Sequence, residues 1–367
     1  MLKPMSDYYN NTKRCVCQEH TSKIENELTE KFVPRRLQAD MLANCYERLH
    51  FDRRAERVRE CGTYTEWKCY PVPEPAAGLH RGVPAAAPEL EQKPRLDKAN
   101  FCRDRLCPMC SWRRSHKIFS QVSAVMSVIG DDYDFVFVTL TVPNIGGSDL
   151  GKEIDKLQNA WQRLSKFKRI QKAFKGFFKA LEVTYNAEAD TYHPHYHIVF
   201  AVNKQYWKRA DYITHDELLE MWRKATRNPN ITQVDIRRAG KRRKSEQTEL
   251  EALSASIAEI AKYAVKSSDF LGKIDKTGRV IVPNPDKLVD KVVSVYAAAL
   301  AGRRLRAFGG VFEEARKQLN LDDPEDGDLI HTDGEIINPD LMYMIYTYRW
   351  SCGGYKLVAV ARTPETA

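Results

Sequence analysis

The spacing of apolar residues along the chain predicts alternating helices and strands. Helical periodicity extends over residues 22–60, 112–129, 150–173, 216–227, 249–267 and 287–300. Runs of β-branched and aromatic residues predict strands over residues 134–142, 180–186, 192–202 and 232–236. Six prolines between Pro71 and Pro94 indicate a loop or an insertion in the first third of the chain.

One predicted strand carries three histidines at alternate positions, in the stretch HPHYH at residues 193–197. Side chains two residues apart project from the same face of a strand, so His195 and His197 can bind one divalent ion together. If the preceding hairpin turns over residues 186–191, Glu182 lies opposite His195 and completes a set of two imidazoles and one carboxylate. Such a set leaves coordination positions open and favours Mn²⁺ or Mg²⁺ over a closed zinc site.

The predicted helix 249–267 gathers three polar side chains on one face. Glu259, Tyr263 and Lys266 lie opposite an apolar stripe, which consists of Leu253, Ile257, Ile260, Ala261 and Ala264. A phenol is a poor nucleophile unless its proton is removed or its anion is stabilised. Glu259 can accept the proton of Tyr263, and Lys266 or a metal ion can favour the phenolate. The alternative is an ordinary exposed tyrosine among helical charge pairs.

Cysteines are concentrated in one region. Cys102, Cys107 and Cys110 supply three thiolates within nine residues, and Cys61 and Cys69 lie upstream. A closed tetrahedral Zn²⁺ site needs four ligands. We therefore predict a structural zinc site formed by Cys61, Cys102, Cys107 and Cys110, with Cys69 as the alternative fourth ligand.

The net charge of +9 favours a polyanionic partner. The longest apolar runs are far shorter than the ~20 residues of a membrane span, so we expect no membrane association. Because the first six residues contain no apolar signal core, we expect the protein to work in a reducing cytoplasm. In that compartment cysteines favour metal binding over disulfides.

Two basic segments carry cations that can lie along a phosphate backbone. Arg113, Arg114 and Lys117 open the predicted helix that follows the cysteines. Arg242 and Arg243 belong to a later cluster of basic residues. Both segments are candidate DNA contacts.

Taken together and in this order, the motifs resemble those of rolling-circle plasmid replication initiators (Rep proteins) of the single-tyrosine HUH endonuclease family. The resemblance covers roughly residues 55–320. It rests on the stretches NFCRDRLCPMC at 100–110, FVTLTVPN at 137–144, HPHYH at 193–197, EIAKYAVK at 259–266 and LRAFGG at 305–310. Relaxases usually carry the tyrosine before the histidine motif, whereas Tyr263 follows it here. The proline-rich stretch, Cys69 and the first fifty residues depart from the family pattern.

The resemblance implies a mechanism. His195, His197 and Glu182 would hold the ion at the scissile phosphate of an origin, where it supplies Lewis-acid polarisation. Tyr263 would attack and leave a 5′-phosphotyrosine link and a free 3′-hydroxyl that primes replication. The DNA would be single-stranded at the nick and duplex beside it. A host helicase and a DNA polymerase are the expected partners.

The resemblance also implies the architecture. We expect an α+β fold, with a central antiparallel sheet and flanking helices, the histidine strands in the middle and the tyrosine helix over the metal face. A cysteine-rich zinc-binding subdomain and a helical N-terminal arm would complete it. The expected division is an arm at 1–60, a zinc-binding segment at 61–129 with an insertion at 71–99, a nuclease core at 130–280 and a candidate DNA-binding segment at 281–367.

Two other functions are compatible with parts of the sequence. A relaxase-like or transposase-like HUH nuclease would use the same histidine and tyrosine motifs in a different reaction. A non-catalytic, zinc-dependent DNA-binding regulator would explain the cysteines and the positive charge. That second alternative does not explain why the histidines, the glutamate and the tyrosine occur together.

Overall fold

A computed structural model describes residues 21–69, 94–208, 211–239, 257–261, 264–274, 280–281, 285–332 and 344–362. The helices are α1 (Val33–Arg48), α2 (Asp52–Glu60), α3 (Pro108–Ile129), α4 (Leu150–Leu164), α5 (Lys168–Ala173), α6 (His215–Thr226), α7 (Asp286–Ala299) and α8 (Val311–Gln318). A π-helical turn, Leu28–Phe32, precedes α1. Tyr263, Arg242, Arg243 and most of the proline-rich stretch lie outside the described residues.

The strands form two larger sheets and a short pair. They are β1 (Tyr64–Cys69), β2 (Arg95–Ala99), β3 (Tyr133–Thr141), β4 (Phe174–Asn186), β5 (Thr191–Asn203), β6 (Val234–Arg238), β7 (Lys273–Ile274), β8 (Val280–Ile281), β9 (Arg306–Gly310), β10 (Met344–Ser351) and β11 (Gly354–Arg362). No helix among the described residues is long and apolar enough to cross a membrane.

The central sheet has five strands in the order β6-β3-β5-β4-β9, and every neighbouring pair is antiparallel. The histidine strand β5 is therefore the middle strand, between the two longest pairings of the sheet. This arrangement confirms the predicted α+β fold with a central antiparallel sheet. The last strand, β9, comes from the chain beyond residue 280 and pairs with β4.

Helices cover both faces of the central sheet, because its strands carry apolar side chains on both faces. On one face, Trp161 of α4 packs against Tyr196 and Phe200, with its ring centroid 6.2 Å and 6.1 Å from theirs. On the other face, Phe137 and Val199 share a core with side chains of α3 and α8 and of the helical turn at residues 257–260. This second face also carries His195 and His197, so we call it the metal face.

The glycines of the LRAFGG stretch allow β9 and α8 to approach β4 closely. A Cβ atom on Gly309 would lie 2.3 Å from the ring of Phe177, and one on Gly310 would lie 2.3 Å from the carbonyl oxygen of Lys175. Gly310 also has a φ of 58°, which favours glycine. The two glycines therefore permit the sharp turn from the edge strand into α8.

The second sheet has the order β11-β10-β1-β2 and is antiparallel throughout. It joins the segment that follows Cys61 to residues 344–362, because Tyr64 pairs with Arg349 and Cys69 with Met344. Phe32 packs edge-on against Trp67 of this sheet, with ring centroids 5.6 Å apart. The N-terminal helical segment is thus fixed against the second sheet by aromatic packing.

The structure corrects four sequence predictions of secondary structure. The helix predicted over residues 22–60 is interrupted between α1 and α2, where His50 has a φ of 59°. The helix predicted over 150–173 divides into α4 and α5, and the last five residues of the predicted insertion form β2. The helix predicted over 249–267 does not continue through residues 264–266, because the carbonyl oxygen of Ala264 accepts a hydrogen bond from Val183 N of β4.

Candidate functional site

Glu182, His195 and His197 converge on the metal face. The β4–β5 register pairs Glu182 directly with His195, and His197 lies two residues further along β5, on the same face. His197 Nε2 lies 3.2 Å from His195 Nε2 and 3.0 Å from Glu182 Oε2, and His195 Nε2 lies 3.6 Å from the same oxygen. All three residues are 4–8% exposed. Three metal-ligating atoms therefore point to one spot in a nearly closed environment.

Neighbouring oxygen atoms fix the orientation of both imidazole rings. His195 Nδ1 lies 3.0 Å from the carbonyl oxygen of His193, and His197 Nδ1 lies 3.3 Å from Thr139 Oγ1. The carbonyl oxygen of His193 can only accept a hydrogen bond, so it holds a proton on His195 Nδ1 and leaves the Nε2 lone pair of the neutral ring free for a metal ion. This contact favours the metal-binding tautomer of His195, whereas the Thr139 hydroxyl can donate to His197 Nδ1 or accept from it.

Lys266 adds a positive charge beside the carboxylate. Its Nζ lies 3.3 Å from Glu182 Oε1, although the sequence pattern had grouped Lys266 only with Glu259 and Tyr263. Burial opposes ionisation of Glu182, but its contacts with the His195 and His197 rings and the charge of Lys266 outweigh it and hold its pKa well below the usual range. Glu182 is therefore an anion, as a metal ligand must be.

The residues on both sides of Tyr263 are anchored to the metal face, while Tyr263 itself lies outside the described residues. Ile260 and Ala261 are buried in the core of that face, as the apolar stripe predicted. Beyond Tyr263, the carbonyl oxygen of Ala264 accepts a hydrogen bond from the backbone N–H of Val183, the residue next to Glu182 in β4. Glu259 is half-buried, and its charge acts on Lys266.

The four predicted zinc ligands form a second cluster. Cys61 Sγ lies 3.5 Å from Cys110 Sγ and 3.6 Å from Cys107 Sγ, and Cys102 Sγ lies 3.6 Å from Cys110 Sγ. Tetrahedral coordination with Zn–S bonds of ~2.3 Å places sulfur atoms about 3.8 Å apart. The spacing of the four sulfurs therefore fits one tetrahedral ion. Cys69 is buried at the end of β1 and does not belong to this group.

Backbone N–H groups surround the sulfurs of the cysteine cluster. The amide nitrogens of Cys102, Arg103 and Asp104 lie 3.2–3.4 Å from the sulfurs of Cys61, Cys110 and Cys102 respectively. Cys107 caps the N-terminus of α3, and Cys110 lies in the first turn of that helix. Donors of this kind and a helix N-terminus favour thiolates, which are the metal-binding form of cysteine, whereas hydrogen bonds with the neighbouring cysteines and burial raise the pKa of the Cys61 thiol.

Replacing Cys102 with serine should release the metal and destabilise the protein, because a structural site contributes directly to folding. We expect the zinc content to fall from about one ion per chain to near zero, and the melting temperature to drop by at least ~5 °C. Cys69→Ser is the matched control, since Cys69 is a buried thiol outside the cluster. Elemental analysis that finds no zinc in the undenatured wild type, or equal zinc loss in both variants, would contradict the assignment.

The predicted DNA contacts in α3 are buried and bonded to other parts of the chain. Arg113 donates to the carbonyl oxygens of Leu329 and Ile330, and Arg114 donates to those of Arg103 and Asp104. Lys117 is 3% exposed, and its Nζ lies 2.7 Å from Asp322 Oδ2. These side chains hold the acidic segment at 322–330 and the cysteine loop against α3. Their placement does not support the prediction that they contact DNA.

Sequence reasoning missed three contributors to the candidate metal centre: Thr139, the carbonyl group of His193, and the ion pair of Lys266 with Glu182. Thr139 lies directly opposite His197 in the β3–β5 register. In β3, Thr139 and Thr141 alternate with apolar residues, and this pattern shows which side of the strand is polar. Without the β3–β5 register, however, the pattern does not show that Thr139 contacts His197.

The chain matches the family model described as Replication protein over residues 93–356. It is 32% identical to a protein named Protein rep from Bacillus amyloliquefaciens over 329 residues, which are 84% of this chain and 88% of the relative. A Protein rep from Bacillus sp. is 34% identical over 290 residues, which cover 77% of this chain and 85% of the relative.

A Protein rep from Staphylococcus aureus is 37% identical over 183 residues, which are 49% of this chain and 76% of the relative. No solved structure matches the chain. The family match includes the histidine strand, three of the four clustered cysteines and the segment around Tyr263. The chain therefore belongs to the replication-protein family, as the resemblance of its motifs to plasmid replication initiators predicted.

Proposed function

We propose that this protein starts rolling-circle replication by nicking one DNA strand in a sequence-specific way at a plasmid double-strand origin, with subsequent strand transfer. Membership of the replication-protein family implies that it acts on DNA. The observation that carries the proposal is the convergence of Glu182, His195 and His197 on one buried spot. A DNA-binding regulator without catalytic activity has no need of such a set.

The ligand set fits a hard divalent cation with open coordination positions. Mg²⁺ in octahedral coordination, with bonds of ~2.1 Å, places neighbouring ligand atoms about 3 Å apart. The nitrogens and oxygen of His195, His197 and Glu182 are separated by 3.0–3.6 Å. We therefore propose Mn²⁺ or Mg²⁺ at this centre and Zn²⁺ in the cysteine cluster. At the first centre, the bound cation would supply Lewis-acid polarisation of the scissile phosphate.

Tyr263 is the proposed nucleophile. Its phenol proton would pass to solvent, the phenolate oxygen would attack the scissile phosphorus, and the bond from phosphorus to the 3′-oxygen of the preceding nucleotide would break. The protein would then carry a 5′-phosphotyrosine link, and the released oxygen would take up a proton to become the 3′-hydroxyl primer. The anchoring of Ala261 and Ala264 against the metal face supports this assignment. Lys266 would help to stabilise the phenolate.

The proposed substrate is single-stranded at the nick and flanked by duplex. Arg242 and Arg243 remain the proposed contacts with the flanking DNA, although their placement lies outside the described residues. A host helicase would unwind the duplex, and a DNA polymerase would extend the 3′-hydroxyl. These steps would take place in the cytoplasm.

A nicking assay on supercoiled plasmid tests the proposal. With Mn²⁺ or Mg²⁺, we expect conversion of a plasmid that carries the cognate origin to the open-circular form, while a plasmid without the origin stays supercoiled. Chelator should stop the reaction. Origin binding without any cleavage would instead favour a DNA-binding regulator.

Glu259 is the proposed general base of termination. A single tyrosine is already occupied when the displaced circle must be released, so a nearby carboxylate can activate water to end the cycle. We expect Glu259→Ala to nick a fresh origin normally but to accumulate over-length single-stranded products in a replication assay. Glu259→Gln, which keeps the size of the side chain, should behave in the same way.

The alternative role of Glu259 is a helical charge pair with Lys262 or Lys266. Its loss would then cost only about 0.5 kcal/mol of helix stability. Unit-length circles from both Glu259 variants would support that structural role and exclude the catalytic one.

A further inference from the structure

An open groove of about 610 Å³ lies at the hairpin end of β4 and β5. Its polar lining includes Thr184 and Asn186 from β4, Thr191 and His193 from β5, and Asn144 from the segment after β3. The groove is large enough to hold a nucleobase and part of its sugar.

The groove adjoins the candidate metal centre. Thr184 pairs with His193, and the next pair on the same face is Glu182 with His195. Two residues along a strand span about 6.8 Å, so the two pairs are direct neighbours. The ring of His193 also stacks on that of His195, with centroids 4.9 Å apart and planes inclined by 24°. A nucleotide next to a phosphate at the metal centre therefore has the groove within reach.

The chemistry of the lining suits a base better than a phosphate. Among the described residues, no lysine or arginine lines the groove, and Glu188 adds a carboxylate that would repel a phosphate. Amide, hydroxyl and imidazole groups are the side chains that form hydrogen bonds with the edges of unpaired bases. Two backbone N–H groups occupy the side-chain oxygen of Asn186, which leaves its amide nitrogen as a donor.

We propose that this groove binds the nucleobase next to the scissile phosphate and selects it by hydrogen bonds to Thr184, Asn144 and His193. The proposal rests on the proposed nicking function, because that function places single-stranded DNA on the metal face. Glu188 can accept a hydrogen bond from an exocyclic amino group, which guanine, adenine and cytosine carry and thymine lacks. The groove should therefore favour guanine, adenine or cytosine over thymine, which offers only its N3–H as a donor, at one position of the origin.

Binding measurements without cleavage test the groove directly. Single-stranded oligonucleotides that span the origin nick, with each of the four bases at each position near it, are titrated by fluorescence anisotropy in the presence of chelator. We expect the wild type to show a base preference at one position beside the nick. Thr184→Val, which removes a hydroxyl group and keeps the shape, should reduce that preference by about 5–100-fold and leave the other positions unchanged.

Two further variants complete the experiment. Asn144→Ala alters the groove from a segment outside β4 and should flatten the preference at the same position, even if Thr184→Val fails to fold. Thr347→Val in β10 is the matched control and should keep the wild-type profile. A wild type without a preference beside the nick, an unchanged profile in both groove variants, or an equal loss at all positions would overturn the proposal. A wild type with the preference but no metal-dependent nicking would refute the proposed function and leave the groove assignment intact.

Discussion

Tyr263→Phe should lower the rate of origin nicking by about 1000-fold or more, because the substitution removes the oxygen proposed to attack the phosphate. Binding to origin DNA should remain within about twofold of wild type, since the aromatic ring and the basic segments are retained. The rate is measured on supercoiled plasmid with Mn²⁺, and affinity is measured on a labelled oligonucleotide at constant salt.

Tyr212→Phe is the matched control for that experiment. Tyr212 is 39% exposed and packs beside Tyr206 and Trp207, away from the candidate metal centre. Loss of its hydroxyl group should leave nicking unchanged. Nicking by Tyr263→Phe at a rate close to that of the wild type would show that another group attacks the phosphate.

His195→Ala and His197→Ala should each reduce metal-dependent nicking by about 1000-fold, because each removes one of the three ligands proposed to hold the phosphate-polarising cation. The melting temperature should stay within a few degrees of wild type, since the Glu182–Lys266 ion pair remains and a catalytic ion rarely carries the fold. Chelator should abolish nicking by the wild type, and added Mn²⁺ should restore it.

His331→Ala is the control for the histidine substitutions. His331 is exposed and paired with Asp328, in a segment separate from the candidate metal centre. Its replacement should not change the response to chelator and Mn²⁺. Full nicking activity of the wild type in excess chelator would refute the role of the metal ion.

Short-range rules predicted the candidate metal centre because its ligands come from one hairpin. The β4–β5 turn lies between Asn186 and Thr191, and this pairing sets the register that brings Glu182 opposite His195. Strand alternation then places His197 on the same face. The cysteine cluster could also be predicted from the sequence, since three of its members are nearly adjacent in the chain and the fourth, Cys61, directly follows α2.

Long-range contacts explain what the sequence did not reveal. Lys266 reaches Glu182 because Ala264 leaves the helical pattern to bond with β4, a pairing that no local periodicity encodes. Lys117 is covered by Asp322, which lies 205 positions later in the chain. A basic helix thus had the pattern of an exposed DNA-binding surface, although its cations are bonded to other parts of the chain, including a segment distant in sequence.

Covalent trapping tests most directly whether Tyr263 forms a covalent link to the nicked DNA. Wild-type protein is incubated with Mn²⁺ and an origin oligonucleotide that is labelled on the 3′ side of the nick, and the mixture is denatured and separated by mass. A labelled protein–DNA adduct should form, and peptide mapping should locate the link at Tyr263. Cleavage of the oligonucleotide without an adduct, or an adduct at a different residue, would contradict the tyrosine mechanism.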